Sequence, residues 1–347
     1  SKAIAKLQRQ APPMPFAQIQ QQVEKELGKP LSVLFADFDQ TPFAAASIGQ
    51  VHRATLNSGE QVVVKVQYPG VEEACASDLK QVRLALRLMG VLKIERKLQD
   101  RLFQEIQDSL DNELNYQIEA QNLQVARTFH QALDPKVVIP QVYSEYSSRH
   151  VLTLSFEQGH GIETARTWSQ DTRNQLGRRL LRAIGQEIFY LKRFHCDPHP
   201  GNFAFREDGS VLIYDYGGVK SLSTEVVENF KALIHAARAE DFSSMEDYLL
   251  RLNSISEKGK FPQDLYRAWV EIFTRPLLTH YDFAANSSHH DAMELVKPSL
   301  KYWDLFKPSP ETLMVNRTIS GQYWNLINLK VHDNLNDVLD ELVPPRS

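Results

Sequence analysis

The sequence predicts an α+β protein in two lobes: a small β-containing N-lobe with inserted helices, followed by a larger, mainly helical C-lobe. Three observations predict it. Two β-rich runs, residues 50–56 and 61–68, flank the turn signal "NSGE" and read as a hairpin. Residues 74–128 show helical periodicity with no proline and one glycine, Gly90. Residues 222–345 read as mostly helical, with breaks near 257–262, 285–290 and 307–310. The stretch "EQGHG" at 157–161 has the composition of a hinge. This gives an extension at 1–40, an N-lobe at 41–158, and a C-lobe with a helical tail at 159–347.

The elements follow in order. Phe16, Ile19, Val23 and Leu27 fall at helical spacing, and Gly28 and Pro30 close that helix. In the second hairpin run Val62, Val64 and Val66 share one face, while Val63, Lys65 and Gln67 share the other, because strand side chains alternate. The helical stretch divides into two long helices, 75–94 and 97–128. Three β-like runs come next: "KVVIP", "QVYSEY" and "HVLTLSF". Residues 171–193 are helical again. "FAF" and "VLIYDYGG" then flank the turn "REDGS".

Bulk properties exclude several classes. The chain has 347 residues, with 42% apolar and 24% charged content, which is ordinary for a globular protein with real cores. A net charge of −4 argues against nucleic-acid binding, which draws on basic excess. Two cysteines, Cys75 and Cys196, make no disulfide framework and suit a reducing compartment. No apolar run approaches the length of about 18 residues that a membrane span needs, so no transmembrane anchor is expected in these residues. The start has too short an apolar segment for a secretory signal.

The stretch "FHCDPHPGNFAF", residues 194–205, gathers the most reactive side-chain types. Zinc is disfavoured there. His195 and Cys196 are adjacent and point apart, and no second Cys/His pair lies nearby. Cys196 as a nucleophile needs a base and a lowered pKa; a small buried side chain is the simpler reading, for Cys75 as well. Phosphoryl transfer needs less covalent chemistry: held phosphates, cations to offset charge, and a carboxylate near the attacking hydroxyl. The chain supplies these in order. Lys65 on a strand can reach phosphates, and Glu113 and Glu119 on the following helices can hold that lysine. Asp197 can orient or deprotonate an acceptor. Asn202, five residues on, can turn back to ligate a metal, with Pro198, Pro200 and Gly201 fixing the turn. Asp215 opens "DYG" after an apolar strand and can bind Mg²⁺ bridging the phosphates. Singly, each is an ordinary surface or turn residue; the joint order points to a kinase-like site.

The chain resembles the ABC1/ADCK/UbiB family of atypical, protein-kinase-like (AarF-type) proteins over roughly residues 12–220. "PFAAASIGQVHRA" resembles that family's alanine-rich loop, "VVVKVQYPGVEE" its lysine strand, and "ELNYQIEAQN" its ExD-containing helix. "HCDPHPGN" resembles its catalytic loop and "YDYGG" its metal-binding turn. The resemblance implies a bilobal protein-kinase-like fold with ATP and Mg²⁺ as cofactors. Lys65 would pair with Glu119, Asp197 would be the catalytic-loop aspartate, and Asn202 and Asp215 would bind Mg²⁺. Ala44, Ala45, Ala46, Ser47, Ile48 and Gly49 would cover the nucleotide phosphates, and "LTLSFEQG" would offer backbone partners to adenine.

The implied function is an ATP-dependent phosphotransferase or ATPase supporting ubiquinone or isoprenoid-lipid metabolism. Lipid or quinone-pathway proteins would be its partners. A bacterial cytosolic location is expected, with peripheral membrane contact. Two rivals stand beside it: a nucleotide-gated scaffold with little catalysis, and a small-molecule phosphotransferase. There are two departures from the family pattern. No KxGQ segment occurs in these residues, and the ExD position reads Glu113-Leu114-Asn115, where asparagine loses a charge and a strong metal ligand. His195 and His199 are expected to hold the catalytic loop through hydrogen bonds. Alanine methyls limit how closely a backbone approaches phosphate, so weak transfer to protein substrates is expected. Ala45→Gly or Ala46→Gly should therefore shift ATP affinity or autophosphorylation, read by nucleotide titration and phosphate incorporation. No change in either removes the loop from nucleotide handling.

Overall fold

The structure, a computed structural model, describes residues 14–345 apart from Ser47, 89–102, Glu105, 108–109 and Asn286. Ser47 and parts of both predicted helices at 75–94 and 97–128 therefore lie outside the described residues. The chain divides into two compact units, one comprising residues up to Arg127 with Pro140–Glu157, the other Thr128–Ile139 with the chain from Gln158 onward.

The first unit is built on an antiparallel sheet. Its strands are β1 (Phe35–Phe38), β2 (Ala44–Ala45), β3 (Gly49–Leu56), β4 (Gln61–Gln67) and β6 (Val151–Ser155); β5 (Val137–Val138) belongs to the second unit. The order is β1-β3-β4-β6, with β2 on β3. The predicted alternation holds: Val62, Val64 and Val66 are buried together against Ile19 and Val23 of α1 (Phe16–Leu27) and against Leu34, Phe35 and Leu56. Each such side chain contributes about 1.5–3 kcal/mol by leaving water. Gly28, at φ 70°, closes α1 in the left-handed conformation that glycine adopts without strain. The short α2 (Leu31–Leu34) leads into β1. His150 bonds both Glu26 of α1 (2.9 Å) and Glu72 of α3 (Val71–Leu88; 3.2 Å).

The helix predicted over 97–128 is broken at Leu114–Asn115, and a new helix, α4 (Tyr116–Leu133), starts there. The cause is local. The Asn115 side chain accepts from the Gln117 N–H (3.0 Å), the bond of a helix N-cap. The end of β4 and the bend before β6 take up the neighbouring groups: Gln67 Nε2 donates to the Leu114 carbonyl (2.9 Å), and the Tyr116 N–H donates to the Arg149 carbonyl (2.9 Å). "QVYSEY" is not a strand; it ends in a 3₁₀ turn, Ser144–Tyr146, and touches the sheet through one bridge, Val142 to Leu154.

In the second unit α5 (Ile162–Ala165) and α6 (Gln170–Gln186) precede a wide turn, Glu187–Leu191. Lys192, in the left-handed region at φ 56°, stops the helix two residues before the predicted end. Residues Arg193–His195 form β7, which pairs with β10 (Val219–Ser221). β8 (Phe203–Phe205) and β9 (Val211–Ile213) make the expected hairpin, and β5 joins β9 in parallel. The helices α7 (Thr224–Arg238), α8 (Phe242–Arg251), α9 (Gln263–Leu278), α10 (Ser287–Ser299), α11 (Pro310–Leu329) and α12 (Asn336–Leu342) complete the unit. One pairing within this helical tail was not predicted: β11 (His280–Asp282) with β12 (His332–Asn334).

A three-way polar contact steadies the β8–β9 turn. Arg179 of α6 donates to Asp134, just past α4, through Nε at 2.7 Å, and to the Gly209 carbonyl through Nη1. Burial pushes the Asp134 carboxyl up, but hydrogen bonds from Arg179 and the Lys136 N–H, with two guanidinium charges, outweigh it and hold the group below its ordinary 3.8. A depressed carboxylate stabilises the fold above the unfolded-state pKa and loses that effect as pH falls through the folded one. Asp134→Asn should therefore cost about 1–2 kcal/mol at neutral pH. In urea melts the gap from wild type should narrow below pH 3.8. A gap that persists unchanged at lower pH would disprove the assignment.

Candidate functional site

The first unit brings two predicted residues together. β4 lies between β3 and β6, with Lys65 opposite Val51 and Leu152, so the lysine backbone is held on both edges. Because Val64 and Val66 point into the core, Lys65 points to the other face. Its Nζ donates to Glu119 Oε1 at 2.6 Å, and the Tyr116 ring centroid lies 5.3 Å from the same nitrogen. Both side chains are largely out of water, 14% and 6% exposed, so removing either partner is more costly than breaking a surface ion pair. Glu119 sits in the first turn of α4, where the helix dipole favours a carboxylate. Its position there follows from the Asn115 cap. Asparagine at residue 115 thus has a capping task that aspartate does equally well, and Glu113 is exposed.

The alanine-rich segment folds back on the same sheet. Ala44 pairs with Val51 and Ala45 with Gln50, the Phe43 N–H donates to the Val51 carbonyl (2.7 Å), and the Ala46 N–H donates to the Gly49 carbonyl (2.9 Å). Ile48 accepts from the Tyr68 N–H at 3.0 Å. Gly49 has no room for a side chain, since a Cβ there would overlap the Val66 carbonyl oxygen. Ala44 and Ala45 are exposed.

The second unit assembles the other predicted group. β7 delivers Asp197 at its end, and the Cys196 N–H donates to the Gly218 carbonyl (2.8 Å), so this loop is tied to the turn that follows Asp215. Pro200–Asn202 form a 3₁₀ turn that brings Asn202 back. Asn202 Nδ2 donates to Asp197 Oδ2 at 2.9 Å and to the Asp197 carbonyl at 3.2 Å. The Asn202 carbonyl in turn accepts from the Tyr214 N–H (2.9 Å), which ties the loop to the residue before Asp215. Asp215 Oδ1 accepts from the Gly217 N–H at 2.8 Å, closing the "DYG" turn.

The two histidines separate. His199 holds the loop as expected, its Nδ1 accepting from the Gly201 N–H at 3.1 Å. His195 does not do so with its ring. The ring is fully buried, packs edge-on against Phe203 and tilted against Tyr216, and neither nitrogen finds a hydrogen-bond partner among the described residues. Burial holds it below the ordinary histidine range, so it stays neutral and is no proton carrier at pH 7. Burial likewise pushes the Cys196 thiol up to about 12, which leaves almost no thiolate for nucleophilic attack.

One organising residue was missed. Glu187 is fully buried, and its carboxylate collects three donors. Tyr216 Oη donates at 2.6 Å, the His195 backbone N–H at 2.9 Å, and His130 Nε2 lies at 3.0 Å. It therefore fixes the residue after Asp215 and a residue two before Asp197 from a single point. Burial, together with this carboxylate, raises the Tyr216 phenol well above its ordinary range. The sequence signal was an acid inside the apolar run "GQEIFYL", a place where a charge needs partners.

The donor chemistry suits the predicted cofactor. Asn202 turns its NH₂ toward Asp197, which leaves its amide oxygen directed elsewhere, and Asp215 adds a carboxylate. Hard oxygen donors of this small number match Mg²⁺, which takes its remaining ligands from phosphate and water. No group of three or more His, Cys, Asp or Glu that could hold a metal ion by itself occurs among the described residues.

Glu119→Gln should remove the carboxylate 2.6 Å from the largely buried Lys65 ammonium, costing about 3–5 kcal/mol. Adding Lys65→Met should recover at least about 1 kcal/mol of that loss in a denaturation double-mutant cycle. Strict additivity would show that the pair carries no coupling.

Comparison with known proteins shows the family. The model of the ABC1 atypical kinase-like domain matches residues 6–249. The chain is 30% identical over 334 residues to the mitochondrial atypical kinase COQ8B of Rattus norvegicus, covering 94% of this chain and 62% of that protein. It is 32% identical over 262 residues to the mitochondrial atypical kinase COQ8 of Saccharomyces cerevisiae, covering 74% and 52%. It is 31% identical over 271 residues to an uncharacterized Synechocystis protein, sll0095, covering 74% and 47%. The chain thus spans 47–62% of the length of these relatives. Among solved structures, that of the Rv3197–erythromycin complex from Mycobacterium tuberculosis superposes with a TM-score of 0.76 at 23% identity, over 99% of this chain and 86% of that one, and shows the same fold. With the domain match extending over more than half of its residues, the chain belongs to the ABC1 atypical kinase-like family.

Proposed function

We propose that this protein is a Mg²⁺-ATP-dependent phosphotransferase or ATPase of the atypical kinase type. The observation that supports it most is the second unit's loop. Asp197 and Asn202 are joined at 2.9 Å across a proline-rich turn, and that turn is bonded to the residue preceding Asp215. This is the arrangement phosphoryl transfer asks for, in which positioning and charge stabilisation do most of the work.

In this reading Lys65, held by Glu119, offsets phosphate charge, and the Ala44–Gly49 segment covers the phosphates. The Asn202 amide oxygen and the Asp215 carboxylate hold Mg²⁺, which supplies charge neutralisation when bound. Asp197, its Oδ2 fixed by Asn202, orients the attacking hydroxyl or water and accepts its proton. The acceptor oxygen forms a bond to the γ-phosphorus as the bond to the β-phosphate oxygen breaks, and ADP leaves. Asn115 keeps a structural role as a helix cap. The family resemblance extends the reading to isoprenoid-lipid or quinone metabolism, and we place the protein in the bacterial cytosol with peripheral membrane contact, whereas the COQ8B and COQ8 relatives are named as mitochondrial. No helix among the described residues is long and apolar enough to cross a membrane.

The test is Mg²⁺-ATP turnover by wild type, Asp197→Asn and Asp215→Asn, with and without liposomes and quinone-precursor mimics. Each substitution should lower kcat by about 10²–10⁴-fold. Turnover independent of Asp197 defeats the mechanism. ATP binding without turnover in every condition favours a nucleotide-gated scaffold.

A further inference from the structure

Helix α11 lies outside the stretch that matches the family domain, which ends at residue 249, yet it touches the catalytic loop at three points. Arg317 Nη2 lies 3.8 Å from Asp197 Oδ1. Four residues on, Gly321 sits so close to Pro198 that a Cβ there would overlap the proline ring. Another four residues on, Asn325 Nδ2 donates to the Pro198 carbonyl at 3.1 Å. Positions 317, 321 and 325 fall on one helix face, so a single element delivers a cation, a close backbone approach and a hydrogen bond to two adjacent loop residues.

The face is not built for stability alone. Thr318, Gln322 and Asn325 are all buried, and Thr318 Oγ1, Gln322 Nε2 and Asn325 Oδ1 find no hydrogen-bond partner among the described residues. A buried polar atom left unpaired is unfavourable by about 1–3 kcal/mol, so an apolar face would give a more stable helix. The glycine, too, is a poor helix former, disfavoured by about 1 kcal/mol against alanine.

We propose that α11 is a clamp on the catalytic loop and that Arg317 is a positioning residue for Asp197. Gly321 and Asn325 fix the loop backbone at Pro198. Asp197 Oδ2 accepts from Asn202 Nδ2 at 2.9 Å and Oδ1 from the His199 N–H at 3.4 Å, and the Arg317 guanidinium, 3.8 Å from Oδ1, adds a cation on that side that biases the carboxylate's orientation. This rests on the reading of Asp197 as the acceptor-orienting group, but the clamp itself is testable without turnover.

The experiment has two arms on the full chain. Hydrogen exchange of the His199, Gly201 and Asn202 amides is measured in Gly321→Ala and Asn325→Ala, with the exposed Leu313→Ala on the same helix as control. Faster exchange, by about tenfold or more, in either clamp variant that folds, with no change in the control, supports the clamp. Unchanged exchange in both overturns it, whatever the enzyme does with ATP. In the second arm Arg317→Gln should lower kcat by about ten- to a hundredfold with the ATP KM unchanged, and Arg317→Lys should restore most of it. An unchanged kcat in Arg317→Gln, or a lysine variant no better than the glutamine one, overturns the role of Arg317. Wild type with no turnover at all defeats the enzymatic reading and leaves the exchange result to decide the clamp.

Discussion

A carboxylate with no access to water must be matched by donors, and Glu187 obtains them from three separate stretches of chain. Tyr216 stands next to Asp215, His195 stands two residues before Asp197, and His130 is on the last turns of α4. Leaving any of these donors out of place removes a partner from a fully buried acid, which is more unfavourable than the loss of one exposed hydrogen bond. The arrangement of the Asp197 loop relative to the Asp215 turn is therefore a consequence of satisfying one buried group. The neutral, ring-packed His195 belongs to the same solution. Its backbone serves Glu187, while its ring fills the apolar space between Phe203 and Tyr216.

The first unit solves a related problem differently. Strand alternation commits Val62, Val64 and Val66 to the core and thereby commits Lys65 to the opposite face. A lysine so far from water needs a counter-charge, and Glu119 meets it only because α4 begins where it does. That start is set by Asn115, whose side chain caps the helix, by the Gln67 side chain, which takes the Leu114 carbonyl, and by the Arg149 carbonyl, which takes the Tyr116 N–H. An uninterrupted helix over this region would rotate Glu119 to a different face. The departure from the family's ExD pattern thus falls at a position whose observed task, accepting one backbone N–H, asparagine performs fully.

Periodicity and turn chemistry made the local part of this legible. The α1 helix, the β3–β4 hairpin, the β8–β9 hairpin and the Pro-Gly turn before Asn202 are all written in short windows of sequence, as is the α+β class. The unread parts depend on partners far along the chain. β7 became a strand because residues 219–221 lie beside it, and β11 because of residues 332–334. The break at Asn115 was masked by helix-forming neighbours; only the pull of Arg149 and Gln67 distinguishes a cap there from a helix interior. Glu187 was passed over for a similar reason, since an isolated acid in an apolar helix carries no spacing motif, and its donors are distributed over 87 residues of chain from His130 to Tyr216.

The loop "DPHPGN" also explains why support has to come from other elements. Pro198 and Pro200 bring no backbone N–H, so two of the donors that would normally knit a tight turn are missing. After Asp197, the three remaining N–H groups bond inside the loop, His199 to Asp197 Oδ1, Gly201 to His199 Nδ1 and Asn202 to the His199 carbonyl, and the Asn202 side chain reaches back to Asp197. Proline rigidity restricts φ at two residues but leaves ψ and the position of the whole loop to be set by packing. An outside element that meets the Pro198 ring and its carbonyl together removes that remaining freedom, and Gly321 and Asn325 of α11 do both. A proline-rich loop is thus physically coupled to the helical tail, although the tail lies beyond the stretch that matches the family domain.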